Sequence, residues 1–322
     1  MIVVRKYSSQ NFDSWNDFVA SAKNSLFMHN RNFMEYHSDR FEDCSLMFFE
    51  DDELLALFPA NKKGTDLVSH GGLTYGGFIT GQKMKEYKML ECFEVLKSYM
   101  NENGFTKCIY KTIPYCYYKI PAQEDLYALF RNDAKISKVE ASTVIDLRNP
   151  IKMPKGRKAQ ISRANREGVT IELSLDFNAF IELENNVLSE HHNTQAVHTG
   201  AELELLHSRF PKQIELYAAM YKGKMIAGSV IFVYDNVVHT QYMAADDTAR
   251  EIGALDYCIS EIIKKYSCSK QFLDFGISTE EGGRVLNDGL ISQKEGFGGR
   301  TVTYQTWEMN IKQKVFYGVF NN

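Results

Sequence analysis

Residues 214–255, IELYAAMYKGKMIAGSVIFVYDNVVHTQYMAADDTAREIGAL, decide the fold of this chain. Two apolar runs on either side of Lys222-Gly223 predict a hairpin, and Val237–Ala245 predicts a third strand. The polar segment Asp246–Gly253 is expected to be a loop that leads into a helix. A helix that starts after such a loop leaves its first backbone N–H groups without partners, so it is a ready site for phosphate or another anion. We therefore expect the working half of the protein here.

The elements around this stretch predict two domains of related architecture. After a basic helix over 158–167, the second half is expected to run strand, two helices, three strands, helix, strand, helix, strand. A doubly wound nucleotide fold alternates strictly and is therefore not expected. The first half has a shorter version of the same rhythm. Asn149-Pro150 and Pro154-Lys-Gly156 interrupt regular structure, so the domains are placed at 1–150 and 151–322.

The composition is that of a folded protein with reduced thiols. A chain of 322 residues with 44% hydrophobic and 24% charged residues is expected to form about two domains with ordinary cores. Its six cysteines have irregular spacing and no Cys-x-x-Cys pair, which predicts buried thiols and neither disulfides nor a zinc site. The N-terminus is unlike a signal peptide, and no apolar run is long enough for a membrane span. A cytoplasmic protein is therefore expected.

The net charge of −4 argues against a protein whose main task is to grip a nucleic-acid backbone. A local basic patch nevertheless lies over residues 152–166, which contain six Lys and Arg residues and no acid. Such a patch suits a nucleotide-sugar pyrophosphate or an RNA phosphate. Its ordinary interpretation is a solvated helix face.

Four segments resemble motifs of the GNAT acyltransferase fold, and more particularly of tandem-GNAT proteins related to the FemAB-like peptidyltransferases and the BioF2-like acetyltransferase domains. They are Arg157–Ile171, Lys224–Gly228, Phe275-Gly276 and Gln293-Lys-Glu-Gly-Phe-Gly298. The last is similar to the Phe-Lys-x-Gly-Phe-Gly of Fem-type enzymes, with Gln293 in place of the aromatic residue. The resemblance implies an α/β (α+β) fold class, with two GNAT-like domains in tandem and a cleft between them.

The resemblance also implies a donor, acetyl-CoA or another acyl-CoA. The pyrophosphate loop of GNAT proteins is similar to Arg250-Glu-Ile-Gly-Ala-Leu255, which keeps the arginine and the first glycine but ends on leucine. Thr248, Arg250, Gly253 and Ala254 are the implied cofactor-binding residues. The alternative is an ordinary loop in which the glycine permits a tight helix entry. The long helical arm of aminoacyl-tRNA-using Fem proteins is missing, so tRNA is disfavoured as a partner.

Three residues are candidates for catalysis. In Fem-type enzymes the lysine that matches Lys294 lies near the transferred acyl group, where positive charge stabilises an oxyanion or a phosphate. The alternative is an exposed helix lysine. Asp274 lies among aromatic residues on a central strand, where burial costs several kcal/mol unless the carboxylate is paired. It is either a base with a raised pKa or a hydrogen-bond hub. His239 is a candidate for taking the proton of the attacking group, and otherwise a half-buried histidine bonded to backbone.

The candidate substrate-binding residues are His70, Tyr75, His198, Tyr242 and Arg157. The first two lie in Ser69–Gly77, which has four glycines in nine residues and suits either a substrate groove or a closely packed hairpin. Strand alternation places Tyr242 on the face opposite to His239 and Gln241.

No metal site is expected. The histidines with the closest spacing form no i, i+4 pair on a helix and have no cysteine nearby. They are His191, His192, His198 and His207.

The function expected from these features is transfer of an acyl group from acyl-CoA to an amine or a hydroxyl. The acceptor is expected to be a cell-envelope, polysaccharide or peptidoglycan precursor, either a small molecule or linked to a nucleotide or lipid. Catalysis would rest on positioning and on stabilising the tetrahedral intermediate. The alternatives are an aminoacyl-tRNA-dependent Fem-like peptidyltransferase and a GNAT-fold binding protein without catalysis.

Overall fold

The computed structural model describes residues 1–192 and 195–311, which pack as two compact units. Unit 1 contains Met1–Lys138 and the described residues from Gln305 onward, and unit 2 is Val139–Tyr304. Residues 139–150, which the sequence assigned to the first domain, pack in unit 2. The reason is that residues 142–146 form backbone pairs with the strand that contains Asp274.

The helices and strands follow one another closely along the chain. The helices are α1 (Phe12–Ser21), α2 (Arg31–Met34), α3 (Glu86–Glu102), α4 (Glu124–Arg131), α5 (Lys155–Arg166), α6 (Phe177–His192), α7 (Gly200–Arg209), α8 (Asp247–Ile252), α9 (Ala254–Tyr266) and α10 (Asp288–Glu295). The strands are β1 (Ile2–Lys6), β2 (Glu42–Asp43), β3 (Leu46–Glu50), β4 (Glu53–Phe58), β5 (Asn61–Lys63), β6 (Asp66–Val68), β7 (Ile79–Thr80), β8 (Lys107–Lys111), β9 (Lys135–Asp146), β10 (Thr170–Ser174), β11 (Ile214–Tyr221), β12 (Lys224–Val233), β13 (Val237–Ala245), β14 (Phe272–Ile277), β15 (Thr279–Glu280), β16 (Val285–Leu286) and β17 (Arg300–Asn310).

Unit 1 is built on two groups of paired strands. One has the order β1, β3, β4, β7, and the other runs from the end of β17 through β8, β6 and β5 to β2. Phe78, Phe93 and Tyr110 are fully buried in its core, which also includes the apolar side of α3. Burial of each such side chain contributes about 1.5–3 kcal/mol. Unit 1 therefore has a core of its own.

Unit 2 is built on one sheet with the strand order β10, β11, β12, β13, β14, β9. Only the β13–β14 pair is parallel, and its pairing runs from Val237 and Phe272 to His239 and Asp274. Both strands continue beyond these pairs, so they separate there. The predicted elements of the second half occur in the predicted order, and α8, β15 and β16 are additional short elements.

Helices cover both faces of this sheet. α9 packs against β11, β12 and β13 on the face where Ile231, Val238 and Leu273 are buried. α6 packs on the opposite face, where Phe180 lies beside Gly228. A Cβ atom at Gly228 would lie 2.8 Å from the carbonyl oxygen of Tyr217, so only glycine fits this close packing.

The segment Asp246–Gly253, predicted as a loop, is mostly the short helix α8. The Asp246 side chain accepts a hydrogen bond from the backbone N–H of Ala249 at 2.8 Å, which is an N-cap. The helix ends at Gly253, whose φ of 82° is left-handed. The capping aspartate thus starts helical structure about two turns earlier than predicted, and α9 begins directly after the glycine.

A β-bulge in β13 corrects the predicted faces of this strand. Thr240 pairs with Ile231 and Tyr242 with Val230, so Gln241 is an extra residue without a position opposite it in β12. His239 pairs with Phe232, which lies on the same face as Val230. His239 and Tyr242 therefore share one face, and the prediction that they lie on opposite faces is wrong.

Five of the six cysteines are buried free thiols, as predicted, whereas Cys268 is exposed. In the part of the chain that the structure describes, no helix combines the length and the apolar character needed to cross a membrane.

Candidate functional site

A pocket of about 980 Å³ lies in unit 2 at the C-terminal end of β13. Its walls are formed by α5, α6, α8, the start of α9, and α10 with the residue that follows it. Among the predicted site residues, Arg157, Arg250 and Gly253 line this pocket. The structure thus brings together residues that are almost 100 positions apart in the sequence.

The start of α9 forms one wall of the pocket. Gly253, Leu255 and Asp256 line it, and no side chain caps the first turn of this helix. The first N–H groups of a helix have no partner within the helix and carry its positive dipole end. A Cβ atom at Gly253 would lie 2.8 Å from the Gln160 carbonyl oxygen, so glycine also permits α5 to approach closely. This wall can accept an anionic group.

Arg157 on α5 contacts two other helices of the pocket, α9 and α10. Its guanidinium forms an ion pair with Asp256, donates a hydrogen bond to the Gln293 carbonyl at 2.9 Å, and lies 4.4 Å from the centroid of the Phe297 ring. Burial raises the pKa of the Asp256 carboxyl, and the charge of Arg157 opposes that effect. Arg157, predicted as a substrate contact, therefore also neutralises the acid in the first turn of α9.

The four predicted donor-binding residues divide into two pairs. Arg250 and Gly253 line the pocket, and the Arg250 guanidinium also contacts the Asp247 carboxylate at 2.9 Å. Thr248 is exposed on α8, and Ala254 is fully buried as the first residue of α9. Among the described residues, neither of the latter two lines the pocket. Binding of a donor by any of these residues stays a prediction.

Asp274 is fully buried and is the centre of a hydrogen-bond network. Its carboxylate accepts hydrogen bonds from Ser142 Oγ at 2.6 Å, from the Gly276 N–H at 2.8 Å and from the Tyr304 hydroxyl. The Nδ1 atom of His239 lies 3.6 Å from the same carboxylate. Three donors offset much of the cost of burying a charge. This geometry is that of the hub considered above, and a role of Asp274 or His239 in proton transfer stays a prediction.

Lys294 is buried, with 3% of its surface exposed, which excludes the alternative of an exposed helix lysine. Its ammonium donates hydrogen bonds to the carbonyl oxygens of Gly276 at 3.0 Å and Ile277 at 2.6 Å. Burial lowers the pKa of Lys294 to about 8, although the charge of Asp274 acts to raise it. The side chain thus reaches the end of β14, whereas its neighbour Gln293 lines the pocket.

His198 and Tyr242 form a second polar pair in unit 2. The Tyr242 hydroxyl lies 2.7 Å from His198 Nδ1 and accepts a hydrogen bond from the His198 backbone N–H at 3.2 Å. Burial raises the pKa of Tyr242 to about 12, and the nearby charge of Glu184 adds to that rise. The structure therefore joins these two predicted substrate contacts, which no sequence pattern had paired.

His70 and Tyr75 lie in unit 1 and are both buried. The Tyr75 hydroxyl donates a hydrogen bond to Tyr117 at 2.9 Å, and burial lowers the pKa of His70 to about 3. A Cβ atom at Gly76 would lie 2.2 Å from the Ser69 carbonyl oxygen. The glycines of this segment thus serve close packing, and a contact of His70 or Tyr75 with substrate stays a prediction.

Glu184 is a pocket residue that the sequence reasoning missed. It lies on α6, lines the pocket, and has 8% of its surface exposed. Burial alone raises its pKa to about 7. The available signal was its position on the apolar stripe of α6, since Phe177, Ile181 and Leu188 are spaced around it at helical intervals.

Metal binding finds no support in the described residues, where no group of three or more His, Cys, Asp or Glu side chains is arranged to hold an ion. The side chains of His191 and His192 lie outside the described part.

Comparisons with known proteins extend these observations. Residues 155–281 match the family described as acetyltransferase (GNAT) domain. A search of the curated proteins finds no match to this sequence.

Solved structures of similar fold cover nearly all of the chain. FemX has a TM-score of 0.67 at 11% identity, with 96% of this chain and 98% of that chain covered. The L-PGS structure from Bacillus licheniformis has a TM-score of 0.60 at 14% identity, with 97% and 94% covered. A tandem GNAT protein from the clavulanic acid biosynthesis pathway has a TM-score of 0.53 at 9% identity, with 97% and 99% covered. At these identities the likeness is one of fold.

Proposed function

Because residues 155–281 belong to the acetyltransferase (GNAT) domain family and the chain has the fold of two GNAT-like domains in tandem, we propose that this protein is an acyltransferase that uses acyl-CoA as its donor. The predicted fold class and the predicted resemblance to Fem-like tandem GNAT proteins are confirmed. The donor, the acceptor and the roles of individual residues belong to the proposal.

The observation that carries the proposal is the uncapped start of α9 in the wall of the 980 Å³ pocket. A diphosphate needs N–H donors and positive charge, and α9 offers both at its first turn. Asp256 in that turn would repel an anion, but its ion pair with Arg157 removes this obstacle. Arg250 adds a second guanidinium at the same wall. These groups fit the diphosphate of a coenzyme A thioester.

The acceptor is proposed to be an amine or a hydroxyl of a cell-envelope, polysaccharide or peptidoglycan precursor. Support comes from the fold shared with FemX and with L-PGS. The reaction needs the acceptor and the thioester carbonyl to be held together, which contributes more to rate than any single residue. A pocket closed on several sides by helices serves this purpose.

A transferase that takes its acyl group from aminoacyl-tRNA is the second candidate, because α5 carries exposed cations near the pocket. Two of its arginines are already paired, Arg157 with Asp256 and Arg163 with Glu251. Lys155, Lys158 and Arg166 remain exposed. The acyl-CoA donor is preferred because the paired arginines leave fewer charges for an RNA backbone.

Isothermal titration calorimetry with acetyl-CoA tests the proposal. We expect binding to the wild-type protein, weaker binding to Arg250→Ala, and unchanged binding to the control Arg166→Ala, which removes an exposed arginine of α5. No heat with acetyl-CoA or with CoA contradicts the proposal. RNA binding that weakens steeply with salt, in the absence of CoA binding, supports the aminoacyl-tRNA candidate instead.

A further inference from the structure

Four apolar side chains of unit 2 line the pocket without being fully buried. They are Val187 and Leu188 on α6, Met243 on β13 and Leu290 on α10, and we call them the apolar wall. Each is half-buried, so part of its apolar surface faces solvent. Free energy is gained when a ligand removes such surface from water. The apolar wall is therefore suited to an apolar part of a ligand.

The groups assigned to the diphosphate lie on other elements than the apolar wall. Arg157 is on α5, Arg250 is on α8, and the uncapped helix start belongs to α9. α9 and α6 pack on opposite faces of the sheet, and Met243 lies near the C-terminal end of β13. Because all these residues line one pocket, the pocket continues from the charged groups at α9 to the apolar wall. A single extended ligand can contact both.

From this arrangement we infer that the acyl group of the donor is an apolar chain of several carbons, which lies against the apolar wall. The inference rests on the proposed function and names the class of its acyl group. An acetyl group places a single methyl beyond the thioester carbonyl, so it covers little of this surface. A longer chain covers more of it, and the gain in free energy is proportional to the apolar area that leaves water.

The pantetheine arm of coenzyme A and the acceptor are the alternative occupants of the apolar wall. The pantetheine arm contains amide groups, which need hydrogen-bond partners once they leave water. The reacting amine or hydroxyl of the acceptor has the same need. The side chains of the apolar wall offer no such partner, apart from the weak acceptor sulfur of Met243. The carbon chain beyond the thioester carbonyl has no polar atom, and it is the part of the substrates that fits this wall.

Isothermal titration calorimetry with CoA, acetyl-CoA, butyryl-CoA and hexanoyl-CoA tests the inference on the wild-type protein. We expect the dissociation constant to fall by about fourfold for each methylene group that the pocket buries. CoA itself should bind about as weakly as acetyl-CoA. Because the pantetheine arm is common to all four ligands, its contacts do not produce such a series.

Two variants of the apolar wall, Leu188→Gln and Met243→Gln, locate the effect. Their positions are on different elements, so the second gives the answer if the first fails to fold. The measured quantity is the ratio of the dissociation constants of acetyl-CoA and hexanoyl-CoA, which cancels the contacts that both esters share. We expect this ratio to fall by about tenfold in each variant, because a polar amide replaces apolar surface. The control is Leu175→Gln, an exposed leucine between β10 and α6 that is not among the described lining residues, and its ratio should equal that of wild type.

Equal affinity of wild type for acetyl-CoA and hexanoyl-CoA overturns the inference, and so does a ratio that neither Leu188→Gln nor Met243→Gln changes. S-hexanoyl-N-acetylcysteamine, a hexanoyl thioester without the diphosphate, separates the inference from the proposed donor. If CoA and its esters do not bind, but this probe binds wild type more tightly than Leu188→Gln, the donor is refuted and the site for the apolar chain stands. Absence of binding by the probe and by every CoA ester overturns both.

Discussion

Asp274 and Lys294 hold the two backbone polar groups of the same residue, Gly276. The Asp274 carboxylate accepts a hydrogen bond from the Gly276 N–H, and the Lys294 ammonium donates one to the Gly276 carbonyl. Gly276 has a φ of 72°, in the left-handed region that favours glycine. Two buried charges thus fix the end of β14 just beyond its pairing with β13, where the two strands separate.

Asp274→Asn should destabilise the protein by about 3 kcal/mol, because an amide replaces a charged acceptor of three hydrogen bonds. One oxygen becomes an NH₂ group, so a donor of the network faces another donor. Urea unfolding measures the change, with the exposed Asp17→Asn as control. Unchanged stability together with unchanged activity would discard both the hub and the catalytic role.

Lys294 should make stability rise with pH on the alkaline side. Its pKa is about 8 in the folded protein and 10.5 ordinarily, so the unfolded chain binds more protons between these values. Wild type should therefore gain stability relative to Lys294→Met from pH 8 to pH 10, by up to about 3 kcal/mol. Denaturant midpoints of both proteins, measured across this pH range, test the prediction. Midpoints of wild type and Lys294→Met that change in parallel with pH would contradict it. If Lys294 also acts in catalysis, Lys294→Met lowers turnover far more than its loss of stability explains.

Glu184→Gln should be more stable than wild type above pH 7. The folded-state pKa of Glu184 is raised from 4.5 to about 7, so its contribution to stability is present below pH 4.5 and is lost as the pH rises through 7. The two proteins should therefore have similar melting temperatures near pH 4.5 and separate by several degrees at pH 8. Differential scanning calorimetry measures this, with Glu182→Gln as control. If Glu184→Gln is less stable than wild type at pH 8, the ionised Glu184 side chain stabilises the folded protein and the prediction is wrong.

Gly253→Ala should cost more stability than Gly223→Ala. Both glycines have left-handed φ angles, 82° and 78°, but only at Gly253 would the Cβ atom meet another backbone, that of Gln160. We expect a loss of about 1 kcal/mol at Gly223 from backbone strain and a larger loss at Gly253. Acetyl-CoA affinity should fall for Gly253→Ala alone. Equal losses of stability for Gly253→Ala and Gly223→Ala would mean that α5 moves away from the added Cβ atom without an energetic cost.

Arg157→Met should cost about 3–5 kcal/mol, because it leaves Asp256 buried without its cation. Arg163→Met should cost less than about 1 kcal/mol, since its partner Glu251 is exposed. The double variant Arg157→Met with Asp256→Asn should recover part of the loss. Additive losses in this cycle would show that the two side chains do not interact energetically.

The order of elements was predictable because hydrophobic periodicity and turn residues act locally. The hairpin over Lys222-Gly223 and the predicted helices of the second half are observed, and α8 is a further helix that was not predicted. Asp246 was also readable as an N-cap, but the following polar residues suggested a loop. The domain boundary was harder to predict, because the pairing of β9 with β14 joins residues about 130 positions apart.

The candidate site was predictable in part for the same reason. Arg250 and Gly253 follow from a motif within four residues, whereas Glu184 becomes a pocket residue only through the packing of α6 on the sheet. The single-residue bulge at Gln241 left no local signal, and it reversed the expected orientation of Tyr242. Burial of Lys294 likewise depends on backbone carbonyls supplied by another element.

The extra residue at Gln241 lets β13 hold one residue more than β12 without changing which side chains face the pocket. Thr240 before it and Tyr242 and Met243 after it each keep a partner on β12, and that partner sets the face on which the side chain lies. Met243 would therefore stay in the pocket wall if Gln241 were deleted. A gain or loss of one residue at this position is absorbed locally, whereas a slip of the pairing register would move every later side chain to the other face.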